Sequence, residues 1–92
     1  MLNKIRIHIF VSGLVQGVFF RYRIKKMAEA FEILGFVKNL KDGRVEAIFE
    51  GEEESLERLI AWIKSSPKGT SVKKVDIFYD KQEQIFENFE IK

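Results

Sequence analysis

The sequence predicts an α+β fold in which two helices lie on one face of a mainly antiparallel sheet. Three observations predict it. Several segments alternate apolar and polar residues with period two, which is typical of strands covered on one side. Two other segments repeat apolar residues three and four positions apart, as helices with one buried face do. An Asp-Gly pair between two strand-like segments favours a tight hairpin. Two such helices can bury their apolar stripes only against a sheet, so we expect a two-layer sandwich.

The first half of the chain supplies a strand, a helix and a hairpin. Residues 4–11 alternate and form strand one, with four apolar side chains on the covered face, Ile5, Ile7, Ile9 and Val11. Residues from about 20 to 32 form helix one, and its apolar stripe comprises Ile24, Met27, Ala28 and Phe31. Residues 35–40 and 45–50 are extended on either side of Asp42-Gly43 and form strands two and three.

The second half supplies another helix and two strands. Glu52, Glu53 and Glu54 suit the positive end of a helix that ends near Ser66, and its apolar stripe comprises Leu56, Leu59, Ile60 and Ile63. Residues 72–79 alternate as strand four, and a last short strand lies around residues 86–91. The order is therefore the ferredoxin-like β-α-β-β-α-β sandwich with a short extra C-terminal strand.

The composition is that of one small domain spanning residues 1–92. A chain of 92 residues with 46% hydrophobic content can form a single core without disulfides or a structural metal. It has no cysteine, which excludes a disulfide framework and thiolate chemistry, and its single histidine argues against a zinc site. Its net charge of +2 does not demand a nucleic-acid partner. Without an apolar N-terminal segment or a long apolar span, we expect a soluble cytoplasmic protein with no membrane partner.

A loop between strand one and helix one has the features of an anion-binding site. Gly13 and Gly17 bracket this loop, and glycine allows consecutive backbone N–H groups to turn inward around an anion. Arg21 lies at the start of helix one, where the helix dipole disfavours a cation, so a bound anion explains it better than helix stability does. A guanidinium can also grip two phosphate oxygens at once. The glycines by themselves would equally fit an ordinary strand-to-helix connection.

Two motifs carry a resemblance to a known family. They read Gly13-Leu14-Val15-Gln16-Gly17-Val18-Phe19-Phe20-Arg21 and Gly35-Phe36-Val37-Lys38-Asn39, followed by Asp42-Gly43-Arg44-Val45. In order and spacing the chain resembles the acylphosphatases over essentially its whole length. The resemblance implies the same sandwich and an activity that hydrolyses the carboxyl-phosphate bond of acyl phosphates without a metal or organic cofactor.

The resemblance also implies roles for particular residues. Arg21 corresponds to the phosphate-binding catalytic arginine, and Asn39 to the asparagine that positions the attacking water. The implied phosphate-binding loop comprises Gly13, Leu14, Val15, Gln16, Gly17 and Val18. By its own context before Asp42-Gly43, Asn39 would also fit a simple turn residue. The implied partners are a small acyl phosphate and inorganic phosphate as product, with no nucleic acid, and we expect a monomer.

Three residues depart from the family pattern. Glu32 stands near the end of helix one where relatives commonly have glycine, so the helix must end without that permissive residue. Phe36 replaces the usual tryptophan and keeps an aromatic anchor. Leu14 gives the loop an apolar side chain where many relatives have a polar or basic one, which we expect to affect substrate preference or loop mobility.

Two other functions fit the same fold. A catalytically silent anion-binding domain would keep Arg21 and the loop but show no turnover. An RNA-binding module would use aromatic residues on the open sheet face, where we expect Phe10 and Phe78 as the main aromatics. The other residues expected on that face are Lys4, Arg6, His8, Glu46, Glu50 and Asp76. Strand three lacks paired stacking aromatics and carries acidic residues where a phosphate backbone would run. His8 is expected on the same open face as a solvated sheet residue.

Overall fold

Five strands and two helices form in the part of the chain that the computed structural model describes, which is residues 4–17, 19–80 and 84–92. The elements in chain order are β1 (Lys4–Leu14), α1 (Phe20–Ala30), β2 (Leu34–Asn39), β3 (Val45–Glu52), α2 (Glu53–Lys64), β4 (Ser71–Asp80) and β5 (Phe89–Ile91). Each predicted strand and helix is present.

The strands form one mixed sheet in the order β4-β1-β3-β2-β5. All neighbouring pairs are antiparallel except β2 and β5, which run parallel. Alternate residues of the strands are buried together with the apolar stripes of both helices, and the largest fully buried side chains include Phe20, Phe49, Ile7, Ile9, Ile24, Leu59 and Ile63. The predicted ferredoxin-like sandwich, with both helices on one face of the sheet, is confirmed.

Strand β1 is longer than the sequence predicts. It continues past Val11 to Leu14, with a register shift against β4 between Ser12 and Gly13. Gly13 has a φ of 125°, and a Cβ built on it would overlap the carbonyl oxygen of Ser71 on β4. The prediction that the loop begins at Gly13 is therefore wrong, because this glycine permits close contact between two strands instead.

Helix α1 ends in a Schellman motif built without glycine. The helix ends at Ala30, two residues before the predicted end, and Glu32 follows with a left-handed φ of 58°. The Ile33 N–H donates to the Ala28 carbonyl at 2.8 Å and the Glu32 N–H to the Glu29 carbonyl at 3.2 Å, which satisfies the last carbonyls of the helix. The helix thus ends without a glycine, as expected, and Glu32 adopts the left-handed conformation that glycine would adopt more easily.

Helix α2 matches its prediction closely. Glu53 and Glu54 lie in its first turn and Lys64 in its last, which complements the helix dipole at both ends. The predicted apolar stripe is buried against the sheet. Neither helix of the described residues has the length and apolar character needed to cross a membrane.

The open face of the sheet carries a buried ion pair at the end where β1 begins. Arg6 donates to Glu50 at 3.1 Å and to Asp80 at 3.0 Å, and both Arg6 and Glu50 are buried. The hydrogen bond to Asp80, opposed by burial and aided by Glu50, raises the pKa of Arg6. Glu50 also accepts the backbone N–H groups of Ile85 and Phe86. This carboxylate therefore holds the segment that leads from β4, at one edge, to β5 at the other.

Candidate active site

A cavity of about 280 Å³ opens at the end of the sheet where β2 finishes and α1 begins. It brings together the loop that follows β1, the first turn of α1, the end of β2 and strand β5. Its lining residues are Val15, Gly17, Phe19, Phe20, Arg21, Tyr22, Asn39 and Ile91. The two residues that the motifs single out for catalysis, Arg21 and Asn39, thus lie on one cavity although 18 positions separate them in the sequence.

The N-terminus of α1 is not neutralised by its own residues. Phe19, at the N-cap position, makes no side-chain hydrogen bond to the helix, and the first turn has no acidic residue. The first amides of any helix lack intrahelical partners and carry a partial positive charge. Helix α2 of the same chain has two glutamates at this position. The start of α1 therefore presents N–H donors and positive charge to the cavity, as an anion site requires.

Buried aromatic packing holds the start of α1 in place. Phe20, the first residue of the helix, is 1% exposed, and its ring stacks on Trp62 of α2 with the ring centres 6.1 Å apart. Arg21 follows directly and lines the cavity. Because the preceding ring is fixed in the core, the base of the arginine side chain has a defined position at the cavity wall.

Lys92, the residue after strand β5, orients the guanidinium of Arg21. Its Nη1 donates to the main-chain oxygen of Lys92 at 3.3 Å. The Lys92 N–H in turn donates to the Val37 carbonyl on β2 at 2.9 Å, continuing the parallel pairing of β5. A guanidinium has five N–H donors, so this contact can orient the group and leave donors for a bidentate anion.

Gln16 fixes the loop against the hairpin that carries Asn39. Its side-chain Nε2 donates to the carbonyl oxygens of Leu40 at 2.8 Å and Arg44 at 2.9 Å. Leu40 follows Asn39, and Arg44 directly precedes the return strand β3. The side chain of Gln16 therefore does not point at the cavity, and it sets the distance between the loop and Asn39.

The turn that receives Gln16 is stabilised by Asp42. The Arg44 N–H donates to Asp42 Oδ1 at 3.0 Å, and Arg44 Nε donates to Oδ2 at 2.8 Å. The backbone hydrogen bond from Arg44, with its guanidinium adding to the effect, lowers the pKa of Asp42. The carboxylate is thus held ionised and shapes the turn.

Asn39 has a buried oxygen that the described residues leave without a partner. It is the last residue of β2 and pairs with Val45 of β3. Its Oδ1 is buried and makes no hydrogen bond within residues 4–17, 19–80 and 84–92. A buried carbonyl oxygen without a donor is costly, so this atom is suited to accept a hydrogen bond from a bound water or ligand.

Only some of the predicted site residues lie together at the cavity. Arg21, Asn39, Val15 and Gly17 line the cavity, and Gly17 has a φ of 78° that favours glycine. The predicted loop residues Gly13 and Leu14 instead lie in β1, and the side chain of Leu14 is 73% exposed. Gln16 contacts the hairpin, and Val18 lies outside the described residues.

Four further cavity residues were not predicted as site residues from the sequence. Phe20 is buried, whereas Phe19, Tyr22 and Ile91 are exposed at 81%, 52% and 39% and line the cavity beside Arg21. Helical spacing does not place Phe19 beside Tyr22, because Phe19 precedes the helix in a left-handed conformation. The contribution of Ile91 depends on the parallel pairing of β5 with β2, which no local pattern indicates.

Two other residues that can carry a positive charge, Arg23 and His8, have partners outside the cavity. Arg23 donates to the Lys68 carbonyl at 2.7 Å, and its guanidinium lies 5.5 Å from the centre of the Trp62 ring. His8 lies on the open face as predicted, but it is bonded to Glu46 at 2.6 Å and is not merely solvated. Neither group contributes to the cavity.

The family model and the curated relatives that match this chain identify the same family. A family model described as acylphosphatase matches residues 7–91. The acylphosphatase of Natronomonas pharaonis is 42% identical to this chain over 92 residues, which cover 100% of this chain and 99% of that protein.

Solved structures agree with the sequence comparisons. An acylphosphatase from Coxiella burnetii superposes with a TM-score of 0.90 at 38% identity, covering 98% of this chain and 94% of that chain. An acylphosphatase from Bacillus subtilis superposes with a TM-score of 0.91 at 32% identity, covering 96% and 98%. The fold is therefore shared over nearly the whole length of this chain and of these two proteins.

Proposed function

The chain belongs to the acylphosphatase family, and from this premise we propose that its cavity hydrolyses small acyl phosphates to a carboxylate and inorganic phosphate. One observation carries the proposal. Arg21 and Asn39 line one small cavity at the uncompensated N-terminus of α1, and the buried Oδ1 of Asn39 has no hydrogen-bond partner among the described residues. Arg21 and the helix N-terminus supply positive charge and N–H donors for a phosphoryl group, and Oδ1 of Asn39 supplies an acceptor for a water.

In the proposed complex the phosphoryl group lies between Arg21 and the backbone N–H groups of the loop and the first turn of α1. Negative charge on the equatorial oxygens increases as phosphoryl transfer proceeds, so donors fixed around them stabilise the transition state more than the substrate. One such donor contributes about 3 kcal/mol. Because Lys92 and the loop already hold these groups in place, little reorganisation is needed when the charge develops.

Asn39 is proposed to hold the attacking water in line with the phosphorus. Its Oδ1 accepts a hydrogen bond from the water, while its amide group can donate to a neighbouring oxygen. An asparagine cannot remove a proton, so its contribution is positioning. Gln16 supports this role because it ties the loop to the strand end that carries Asn39.

The reaction balances without a general base from the protein. The water oxygen forms a bond to phosphorus, and the bond between phosphorus and the carboxyl oxygen breaks. The leaving carboxylate takes that electron pair and needs no strong general acid, since it is stable as an anion. We propose that a phosphate oxygen of the substrate takes the proton of the water, and the products are a carboxylate and inorganic phosphate.

The proposal also covers cofactors, partners and cellular location. We propose that catalysis needs no metal, because Arg21 and the amides can supply the positive charge that a metal ion supplies elsewhere. The chain would act as a monomer, since each group invoked comes from one chain. No nucleic acid is involved, and acidic side chains such as Glu46 on the open face disfavour one. Since acyl phosphates arise inside cells, we place the activity in the cytoplasm.

Release of inorganic phosphate from acetyl phosphate, with a chelator present, tests the proposal. Arg21→Gln should lose most turnover and bind inorganic phosphate more weakly, whereas Asn39→Ala should lose turnover and keep phosphate affinity. Arg23→Gln is a matched arginine control that lies outside the cavity, and Asn88→Ala is the matched asparagine control.

Three results would contradict parts of the proposal. Near-normal turnover of Arg21→Gln would exclude its assigned role. Loss of both turnover and phosphate affinity in Asn39→Ala would indicate a structural role. A wild-type protein that binds phosphate but shows no turnover would be a silent anion-binding domain.

A further inference from the structure

The mouth of the cavity is apolar and exposed in a way that the phosphate chemistry does not explain. Phe19, Tyr22 and Ile91, called here the apolar rim, line the same cavity as Arg21. Two of the three are more than half exposed, Phe19 at 81% and Tyr22 at 52%. Large apolar side chains clustered around a polar centre are typical of a small-molecule site, in which apolar contacts bind one part of the ligand and a few polar groups fix the other.

Phe19 is the most unusual member of the rim. Its backbone has φ 57° and ψ 20°, a left-handed conformation that a bulky residue rarely adopts. At a helix N-cap, serine, threonine, asparagine or aspartate would supply a hydrogen bond, and phenylalanine supplies none. Neither helix capping nor burial therefore accounts for an aromatic ring at this position, and strained residues of this kind cluster at functional sites.

The rim is assembled from two separate elements around the arginine. Phe19 directly precedes α1, Tyr22 lies in its first turn, and both line the same cavity. Ile91 comes from β5, where it pairs with Val37. Arg21 lies between the two aromatic residues in the sequence, and its guanidinium contacts Lys92, the residue after Ile91. A ligand held by Arg21 would therefore extend its remainder across the rim.

The described residues that line the cavity offer no second cation to pair with a carboxylate on the acyl group. Arg21 is the one that carries a charge, and it is assigned to the phosphoryl group. The amine of Lys26 lies over the Tyr22 ring, 5.3 Å from its centre, and Lys26 does not line the cavity. The groups that would surround the acyl part itself are the two rings and the isoleucine.

We infer that the apolar rim binds the acyl group and that this enzyme prefers acyl phosphates with aromatic or bulky apolar acyl groups. The inference rests on the proposed function, since it assumes that the cavity holds the phosphoryl group. Phe19 and Tyr22 would then be specificity-determining residues that contact the substrate without contacting the phosphorus.

Kinetics with two substrates test the inference. The wild type should show a higher kcat/KM for benzoyl phosphate than for acetyl phosphate. Phe19→Ala and Tyr22→Ala should each lower kcat/KM for benzoyl phosphate roughly tenfold, mainly through KM, because each removes part of the apolar surface that covers the ring. The losses for acetyl phosphate should be at least about fivefold smaller, because its methyl group contacts less of the rim. Phe19→Leu should retain most of the preference, and Tyr79→Ala, an exposed tyrosine of β4, is the matched control.

The outcomes separate the inference from the proposed function. Equal losses on both substrates would overturn the inference, because the side chains would then act on the helix N-terminus. A preference for succinyl phosphate that depends on Lys26 would overturn it as well. A wild type that hydrolyses neither substrate would contradict the proposed function. The rim is then tested by calorimetric binding of benzylphosphonate and methylphosphonate, where equal affinities would overturn the inference.

Discussion

Replacing Glu32 by glycine should stabilise the protein. Glu32 follows α1 in a left-handed conformation, with a φ of 58°, and its N–H and that of Ile33 complete the Schellman motif. The backbone hydrogen bonds do not depend on the side chain, which is exposed. The substitution therefore removes strain at Cβ and keeps the helix end intact.

The expected magnitude follows from two opposing effects. A non-glycine residue in the left-handed region costs about 1–2 kcal/mol, which glycine avoids. Glycine also increases the entropy of the unfolded chain and thereby lowers stability by about 0.4–1 kcal/mol. The net gain for Glu32→Gly is about 1 kcal/mol, or roughly 4–8 °C in Tm for a domain of this size.

Urea unfolding followed by circular dichroism measures the effect, with two matched variants as controls. Glu32→Ala removes the carboxylate but keeps Cβ, so its stability should stay within about 0.5 kcal/mol of the wild type. Glu29 lies within α1, so Glu29→Gly should lower the free energy of unfolding by about 1 kcal/mol. The reasoning would be refuted if Glu32→Gly were neutral or destabilising, or if Glu32→Ala gave the same gain, which would assign the effect to the carboxylate.

Three further predictions concern the framework of the site. Gly13→Ala should lower the free energy of unfolding in urea by about 3 kcal/mol or more, because the added methyl group would overlap the Ser71 carbonyl. Gly43 also has a positive φ but has open space around it, so Gly43→Ala should lower the free energy of unfolding by only about 1 kcal/mol. Equal losses would contradict this explanation. Gln16→Ala removes two hydrogen bonds and should lower the free energy of unfolding by about 1 kcal/mol. It should also lower kcat/KM for acetyl phosphate roughly tenfold, because the loop loses its position relative to Asn39. Unchanged kinetics would show that other contacts position the loop. Because the pKa of Asp42 is lowered from 3.8, its carboxylate stabilises the fold above that pH, and the contribution is lost as the pH falls through the folded-state pKa. Asp42→Asn should therefore be less stable than the wild type at neutral pH, with a difference that shrinks below pH 3.8 in thermal unfolding, and a difference independent of pH would count against it.

The architecture could be predicted because each element carries a local pattern. Alternation defines the covered face of strands β1 and β3, and the stripe of Leu56, Leu59 and Ile63 defines the buried face of α2. The Asp42-Gly43 pair placed the hairpin correctly. Local patterns and tertiary packing agree at these positions, so the sequence was sufficient.

The deviations occur where a distant contact decides the local conformation. Gly13 lies in β1 and not in the loop because β4 approaches its backbone, and nothing near Gly13 in the sequence indicates β4. The orientation of Arg21 by Lys92 depends on parallel pairing at the sheet edge, between segments more than fifty residues apart. The two hydrogen bonds of Gln16 likewise join segments that only the folded chain brings together.

For the candidate site, the motifs identified the groups and the structure supplied their arrangement. Arg21 and Asn39 were singled out by resemblance, and both line the cavity. The free acceptor of Asn39 became visible only in three dimensions, whereas the sequence already shows that the start of α1 has no acidic residue. The apolar rim of Phe19, Tyr22 and Ile91 had no signal because exposure at a cavity mouth is a property of the fold.

The most direct test of the central claim is the fate of the water oxygen. The protein would hydrolyse acetyl phosphate in water enriched in oxygen-18, and mass spectrometry would measure the label in both products, corrected for uncatalysed hydrolysis. Attack at phosphorus by a water held by Asn39 predicts one labelled oxygen in the phosphate and none in the acetate. Label in the acetate would show attack at the carbonyl carbon and would contradict the account.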